Sequence, residues 1–360
     1  MAQAEGADSA ALNELLDRVV SASDRVRAQA QSALDGKTKP RGSLGFLEHI
    51  AVQYAAVRGE VTPALPQFAV VVAAADHGVS ARGVSAYPAE VTAQMIANIA
   101  GGGAAVSVLS RQAGVRLVVV DAGSRADTLP AGVLDRRQLR GSGDITIAPA
   151  MPHHEAVRLL LAGAALADEL AADGITAVAL GEMGIGNSTV AAALTAALLS
   201  VTAAEVTGPG TGVTGEALTA KVAAVDAALR RWQATEDESP VTVLAELGGL
   251  EIAFLTGLVL GAAAARMPVV MDGFISTSAA LVARAMAPAV VDALIAGHRS
   301  AEPGHTIALT ALGRRPILEL DLRLGEGSGA VVASSVIGAA VAVLTEMASF
   351  DSAGVTDTGI

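Results

Sequence analysis

Apolar residues along this chain fall into two arrangements. In the first 58 residues they are spaced for helices. "ALNELLDRVVSASDRVRAQAQSALDG" is amphipathic with Gly36 as a stop signal, and "FLEHIAVQYAAVRG" reads as a further helix. "TKPRGSLG" lies between them as a loop, and "VTPALP" follows as a linker. Downstream, the apolar residues form short unbroken runs rich in Val that end in polar residues and glycine: "QFAVVVAAADHG", "VRLVVVDAGS", "ITAVALGEMGIGNST" and "MPVVMDGFIST". Their length and β-branching mark strands buried on both faces, with helical stretches between them. This pattern predicts an α/β fold with a mainly parallel sheet, helices on both faces and right-handed crossovers. Near the C-terminus, Leu318 to Leu324 alternate apolar and charged as a half-buried strand does. Gly325-Glu326-Gly327-Ser328-Gly329 comes next, then a long apolar run that reads as a helix.

The polar residues sharpen this picture. Asp76-His77, Asp121, Glu182, Asp272 and Glu326 all fall just past the end of a strand-like segment. Open α/β sheets bind ligands in the crevice at that edge, so the five suggest one acidic, glycine-lined site. The alternative is that some of them cap the following helix, and for Asp121 the two readings balance.

Composition narrows the function classes. The 360 residues suffice for one large domain or two ordinary ones. Hydrophobic residues are 52% and aromatics 2%, so the core must be built from Ala, Val and Leu. A net charge of −12 without a Lys/Arg-rich run argues against nucleic acid as a partner. The absence of cysteine excludes disulfides, thiolate catalysis and cysteine-ligated metals. The N-terminus has neither the basic start nor the apolar core of a signal peptide, and a cytoplasmic location is expected. Mean hydropathy is +0.51, and charge-free runs between Glu90 and Arg111, Glu182 and Glu205, and Glu326 and Glu346 reach spanning length. Gln94, Asn98 and "GGG" interrupt the first; "GIGNST" opens the second; "GSG" opens the third, which also holds Ser334-Ser335. Aromatic belts and basic flanks are missing, so these runs read as buried helices and no membrane partner is expected.

Three groups of residues carry candidate chemistry. In "GEMGIGNSTVAAAL", Gly184 and Gly186 let the backbone approach a ligand, and Asn187, Ser188 and Thr189 begin a helix whose free N–H groups suit an anion. Ordinary capping is the competing reading. No Lys precedes the Ser/Thr as in a Walker loop, and the third glycine of the dinucleotide fingerprint is absent. "TGPGTGV" is a second glycine turn, ahead of a helix bearing Lys221, which is either a phosphate partner or a surface charge. The long loop "DHGVSARGVSAYPAEVTAQM" brings Ser85, Tyr87 and Gln94 near the sheet edge. His77 could be a base, a core residue or a ligand, but the other histidines lack metal-ligand spacing and no metal site is expected. Glu182 and Glu326 are two carboxylates in glycine settings, and a partly apolar pocket would raise a Glu toward a workable base. Glycines flanking Glu326 argue against a plain helix-start charge and leave room for a flat ligand.

"TKPRGSLG", "AAADHGV", "YPAEVTAQM", "VVVDAGS", "GEMGIGNST", "GPGTGV", "ELGGLEIAFLTG", "VVMDGFISTSAAL", "GHRSAEPGH" and "LRLGEGSGA" occur in that order from about residue 37 to residue 330. Together they resemble the nicotinate-nucleotide–dimethylbenzimidazole phosphoribosyltransferase family. The resemblance implies a Rossmann-like large domain over 61–330 and a small helical domain from both chain ends, 1–60 and 331–360. It also implies a homodimer with no cofactor. By the same resemblance Glu326 is the general base, while Gly184, Gly186, Asn187, Ser188 and Lys221 hold the phosphate of nicotinate mononucleotide. Ser85, Tyr87 and Gln94 form the benzimidazole pocket. Thr189 and Asp272 join the expected substrate-binding positions, and Glu182 is expected to stabilise positive charge on the ribose. Arg41 stands where the family often has a second proline. The implied reaction gives α-ribazole 5'-phosphate and nicotinate, for the lower ligand of cobalamin. The competing readings are a nucleosidase using the same carboxylates, a non-catalytic nucleotide sensor and, disfavoured by its incomplete fingerprint, a NAD-dependent dehydrogenase.

Overall fold

The structure is a computed structural model that describes residues 2–357, with side chains described from residue 6 onward. Six parallel strands form one sheet: β1 (Phe68–Ala75), β2 (Arg116–Gly123), β3 (Leu134–Asp135), β4 (Ala177–Met183), β5 (Val269–Met271) and β6 (Leu294–Ala296). Their order is β3-β2-β1-β4-β5-β6. The chain builds outward on one side of β1, then crosses back to β4, so β1 and β4 flank the topological switch point. The α/β, mainly parallel, Rossmann-like expectation holds.

Why the strand runs are continuously apolar is visible in β1. Val70, Val72 and Ala74 enter the core on one face, and Ala69, Val71, Ala73 and Ala75 enter the core on the other. Period-2 alternation puts every residue of such a strand against a helix layer. One layer includes His153–Ala172 and Leu250–Ala264, which pack closely against each other. A Cβ on Gly163 would overlap the carbonyl oxygen of Phe254, and one on Gly257 that of Leu160. The many small residues therefore serve backbone-to-backbone helix packing rather than filling a loose core. On the opposite face, Ser328–Glu346 packs against Asp24–Asp35 and Phe46–Arg58.

Two expectations are corrected. The amphipathic N-terminal stretch is two helices, Ala2–Arg18 and Asp24–Asp35. Ser23 starts the second by accepting the Val26 N–H at 3.3 Å. The first packs on His153–Ala172 and Leu250–Ala264, away from the other N-terminal helices. The alternating run Leu318 to Leu324 is not a strand. It makes one bridge to His298, and Asp321 adopts φ +55°, a left-handed conformation that breaks the extended backbone. Leu320 and Leu324 consequently stay exposed. Of the charge-free runs, the first is divided at Gly101–Ala104 into Val91–Ala100 and Ala105–Ala113, and the second holds the 13-residue helix Asn187–Leu199. Ser328–Glu346 is long and apolar enough to cross a membrane by length and composition, yet Ala330, Val331, Ile337, Val341 and Leu344 lie in the core.

Candidate active site

A cavity of about 350 Å³ opens at the C-terminal ends of β4, β5 and β6. Glu182, Gly184, Asn187 and Ser188 supply one wall, Gly325 and Glu326 another, and Met95, Met183 and Leu324 are among its apolar lining. The sequence brings these together by packing glycine turns against strand backbone.

Glu326 sits in a turn where three successive residues are left-handed: Gly325 (φ +83°), Glu326 (φ +62°) and Gly327 (φ +88°). A non-glycine residue in that region carries strain that surrounding contacts must hold. Asp272 supplies two of them. Its carboxylate accepts the backbone N–H of Gly327 at 3.2 Å and of Ala330 at 2.9 Å, capping the helix Ser328–Glu346 and pinning the turn. The glycines are needed for contact with protein, not for leaving room. A Cβ on Gly325 would overlap Oε1 of Glu182, and one on Gly327 would lie 2.8 Å from Val70 and 3.1 Å from the Cα of Gly181. The turn is thus seated on β4.

Burial pushes the Glu326 carboxyl above the usual carboxylate range; the backbone N–H of Val106 opposes this and Asp272 adds to it. Its Oε2 is buried with no hydrogen-bond partner among the described residues. Glu182 is pushed up to about 8, first by burial, then by Asp272 and Glu251; Asn187 pulls it back, and Glu326 raises it further. Asn187 donates its side-chain amide to Glu182 Oε2. Two carboxyls with raised proton affinity, close enough to repel each other, form an acid–base centre.

At the other end of the cavity Ser188, Gly210, Thr211 and Glu302 form the lining, with Lys221 behind Ser188 and Gly210. Lys221 is buried at 1% exposure, so the surface-charge reading fails. Its Nζ donates to Ser188 Oγ at 3.0 Å and to the Gly208 carbonyl at 2.9 Å, reaching beneath the "TGPGTG" turn. Burial lowers it to about 8 while Glu302 holds it up. Glu302 also accepts the Gly210 N–H at 2.8 Å. Gly184 lines the cavity, and Gly186 (φ +97°) caps the helix Asn187–Leu199 beside it. Thr189 is fully buried in that helix and does not line the cavity.

The loop after β1 is joined to this end. Ser85 Oγ lies 3.1 Å from Thr211 Oγ1, which also accepts the Ala86 N–H. Tyr87 lines the cavity mouth and is 55% exposed. Gln94 is exposed on Val91–Ala100, and Val91 and Met95 of that helix face the cavity instead. Asp272 lies behind the wall as a cap. Asp121 lies inside β2 rather than past its end and accepts from Gly123 and Ser124, while Asp76, just past β1, accepts from Arg125. His77 pairs with Glu251 at 2.9 Å, both fully buried, and packs against Gly184 from behind. Residues of the lining that the sequence reading passed over include His298, Ser300, Glu302 and Arg323. The first three follow β6 in "GHRSAEPGH", a block that helped carry the resemblance but whose residues were given no role.

A family model described as phosphoribosyltransferase matches residues 19–355. The nicotinate-nucleotide–dimethylbenzimidazole phosphoribosyltransferase of Pelodictyon phaeoclathratiforme is 48% identical over 347 residues, covering 96% of this chain and 98% of that protein. The protein of the same name from Chloroflexus aurantiacus is 46% identical over 335 residues, covering 93% and 95%. Among solved structures, CobT from Thermus thermophilus superposes with a TM-score of 0.88 at 48% identity, covering 92% of this chain and 99% of that one.

Proposed function

Since this chain belongs to the nicotinate-nucleotide–dimethylbenzimidazole phosphoribosyltransferase family, we propose that Glu326 is the base of its reaction and that the Ser188–Lys221 end holds the phosphate. The enzyme moves the ribose phosphate of nicotinate mononucleotide to 5,6-dimethylbenzimidazole, giving α-ribazole 5'-phosphate and nicotinate for the lower ligand of cobalamin. One ring nitrogen of the azole attacks the anomeric carbon, and the bond to the pyridinium nitrogen breaks. That electron pair returns to the ring, so no proton need be supplied to the leaving group. The azole must lose the proton on its other nitrogen, and Glu326 takes it. Attack opposite the leaving ring inverts the anomeric centre from β to α.

The single observation that carries the assignment is the setting of Glu326. It is a buried, strained carboxylate with raised proton affinity, held by Asp272 at the wall of the cavity. A base with a raised pKa contributes typically ~10²–10⁴-fold, and orienting two substrates contributes further. The phosphate assignment rests on Lys221, Ser188 and the helix start at Asn187. Tyr87, which lines the cavity, is kept on the azole side; Ser85, held by Thr211 outside the lining, and the exposed Gln94 would reach it through movement of the loop and helix on binding. Glu182, neutral below about 8, becomes the partner of positive charge on the ribose once the cationic nucleotide lowers its proton affinity.

The chain is further proposed to act in the cytoplasm as a homodimer, with 61–330 as the large domain and 1–60 with 331–360 as the small helical one. The apolar Leu320, exposed outside the cavity, suits a partner surface. Light scattering during size-exclusion chromatography tests the dimer. Mass analysis of products from nicotinate mononucleotide and the azole tests the chemistry. An azole riboside phosphate is expected, whereas free ribose phosphate as the main product would make the protein a nucleosidase.

A further inference from the structure

We propose that Arg323 binds the ring carboxylate of the nicotinate nucleotide and makes the enzyme select nicotinate over nicotinamide as the leaving ring. This rests on the transferase reading and names the origin of its nucleotide specificity.

The cavity lining contains three carboxyls, Glu182, Glu302 and Glu326. A substrate that leaves as an anion is poorly served by such walls unless a cation meets it. Among the described residues, Arg323 is the only lysine or arginine of that lining. Lys221 is committed elsewhere, donating to Ser188 and the Gly208 carbonyl at the phosphate end. Arg299 is paired with Glu319 at 2.8 Å. No hydrogen bond or ion pair engages the guanidinium of Arg323 among the described residues, and its side chain is exposed. The backbone places it well. Ala301 donates its N–H to the Leu322 carbonyl at 3.2 Å, holding this segment beside Ser300 and Glu302. Two residues further on, the Gly325-Glu326-Gly327 turn begins. Arg323 therefore stands in the cavity wall between the Ser300–Glu302 segment and the Gly325-Glu326-Gly327 turn.

The chemistry of departure makes this contact useful. In the substrate, the carboxylate shares its ring with a positively charged nitrogen, and the ring is neutral overall. As the glycosidic bond breaks, the ring nitrogen loses its charge and the carboxylate remains uncompensated. Attraction to a guanidinium consequently grows toward the transition state, which raises kcat rather than binding alone. A carboxylate also fits the planar fork of Arg through two parallel hydrogen bonds. A nicotinamide ring offers no negative charge and gains none of this.

The test compares Arg323→Gln with the parent enzyme on nicotinate mononucleotide and nicotinamide mononucleotide, using the azole riboside as readout. Because the side chain is exposed, the fold should survive, and circular dichroism checks it. The parent should prefer the nicotinate nucleotide. Arg323→Gln should lower kcat/KM for it by about five- to tenfold while leaving the nicotinamide nucleotide nearly unchanged. Arg323→Lys should recover part of the preference, since charge remains without the fork. Equal losses on both nucleotides, or no loss on either, would overturn the assignment while leaving the transferase reading intact. Absence of riboside from the parent with either nucleotide would instead overturn that reading, and this one with it.

Discussion

Asp121 in β2 and Glu182 in β4 lie on opposite sides of β1, and each is followed two residues later by glycine, as Asp-Ala-Gly and Glu-Met-Gly. Their surroundings are opposite. Asp121 accepts the N–H of Gly123 at 3.0 Å and of Ser124 at 2.7 Å, and the Ser124 hydroxyl at 2.5 Å, with Arg137 at 3.7 Å. Glu182 has one donor, Asn187, and carboxylates around it. The shorter Asp folds back onto its own turn and its charge is fully met. The Glu, one methylene longer, reaches past its turn into the cavity and keeps its proton to about 8. An acid in the last residues of a strand becomes reactive when nearby amides do not satisfy it, not because of where it stands in the motif.

That contrast can be broken at the turn that faces Glu182. Gly325→Ala would place a Cβ into Oε1 of Glu182 at a left-handed position. Displacing Glu326 by about 1 Å should cost ~10²-fold in kcat. A variant with parental kcat would show that the turn's seat on β4 is not what positions the base.

The phosphate end responds more modestly. Lys221→Ala should raise KM for the nucleotide, but not for the azole, by the equivalent of roughly 1.5–3 kcal/mol. The intact enzyme should also lose nucleotide affinity as pH rises through about 8, where the buried ammonium deprotonates. Equal changes for both substrates, or a flat alkaline limb, would move the phosphate elsewhere.

Asp121→Asn sharpens the other side of the comparison. It should reduce unfolding stability by ~1–3 kcal/mol through weakened charge-assisted bonds and leave kcat near the parent value. A selective loss of kcat would give Asp121 a role in the site. The last effect concerns Glu182. Its folded proton affinity exceeds its ordinary value of 4.5, so the folded state binds more protons than the unfolded chain between there and about 8. Stability should fall as pH rises through that window. Glu182→Gln should flatten this slope in denaturant titrations; an unchanged slope would show that the carboxyl does not hold its proton.

How much of this was legible in the chain depends on reach along it. The Val-rich runs marked β1, β2, β4 and β5, because burial on both faces leaves a local signature. The helix start at Asn187 was readable for the same reason. Asp272 as a cap was not, because its amides belong to Gly327 and Ala330, more than fifty residues away. The burial of Lys221 depends on the Gly208 carbonyl and Glu302, and the pairing of His77 with Glu251 spans the crossover. The strand read at Leu318 to Leu324 failed because alternation cannot reveal the left-handed Asp321. The glycines around Glu326 were seen, but their partner, the backbone of β4, was not.

The most direct test of the central claim is steady-state turnover of Glu326→Gln with nicotinate mononucleotide and dimethylbenzimidazole across the pH range. The substitution keeps the size of the side chain and removes the base. Nucleotide KM should stay near that of the parent, kcat at neutral pH should fall ~10²–10⁴-fold, and the rise of kcat with pH set by the carboxyl should vanish. A Gln variant that turns over at nearly the parental kcat, with the same pH profile, would contradict the account: the proton would then be leaving the azole by another route.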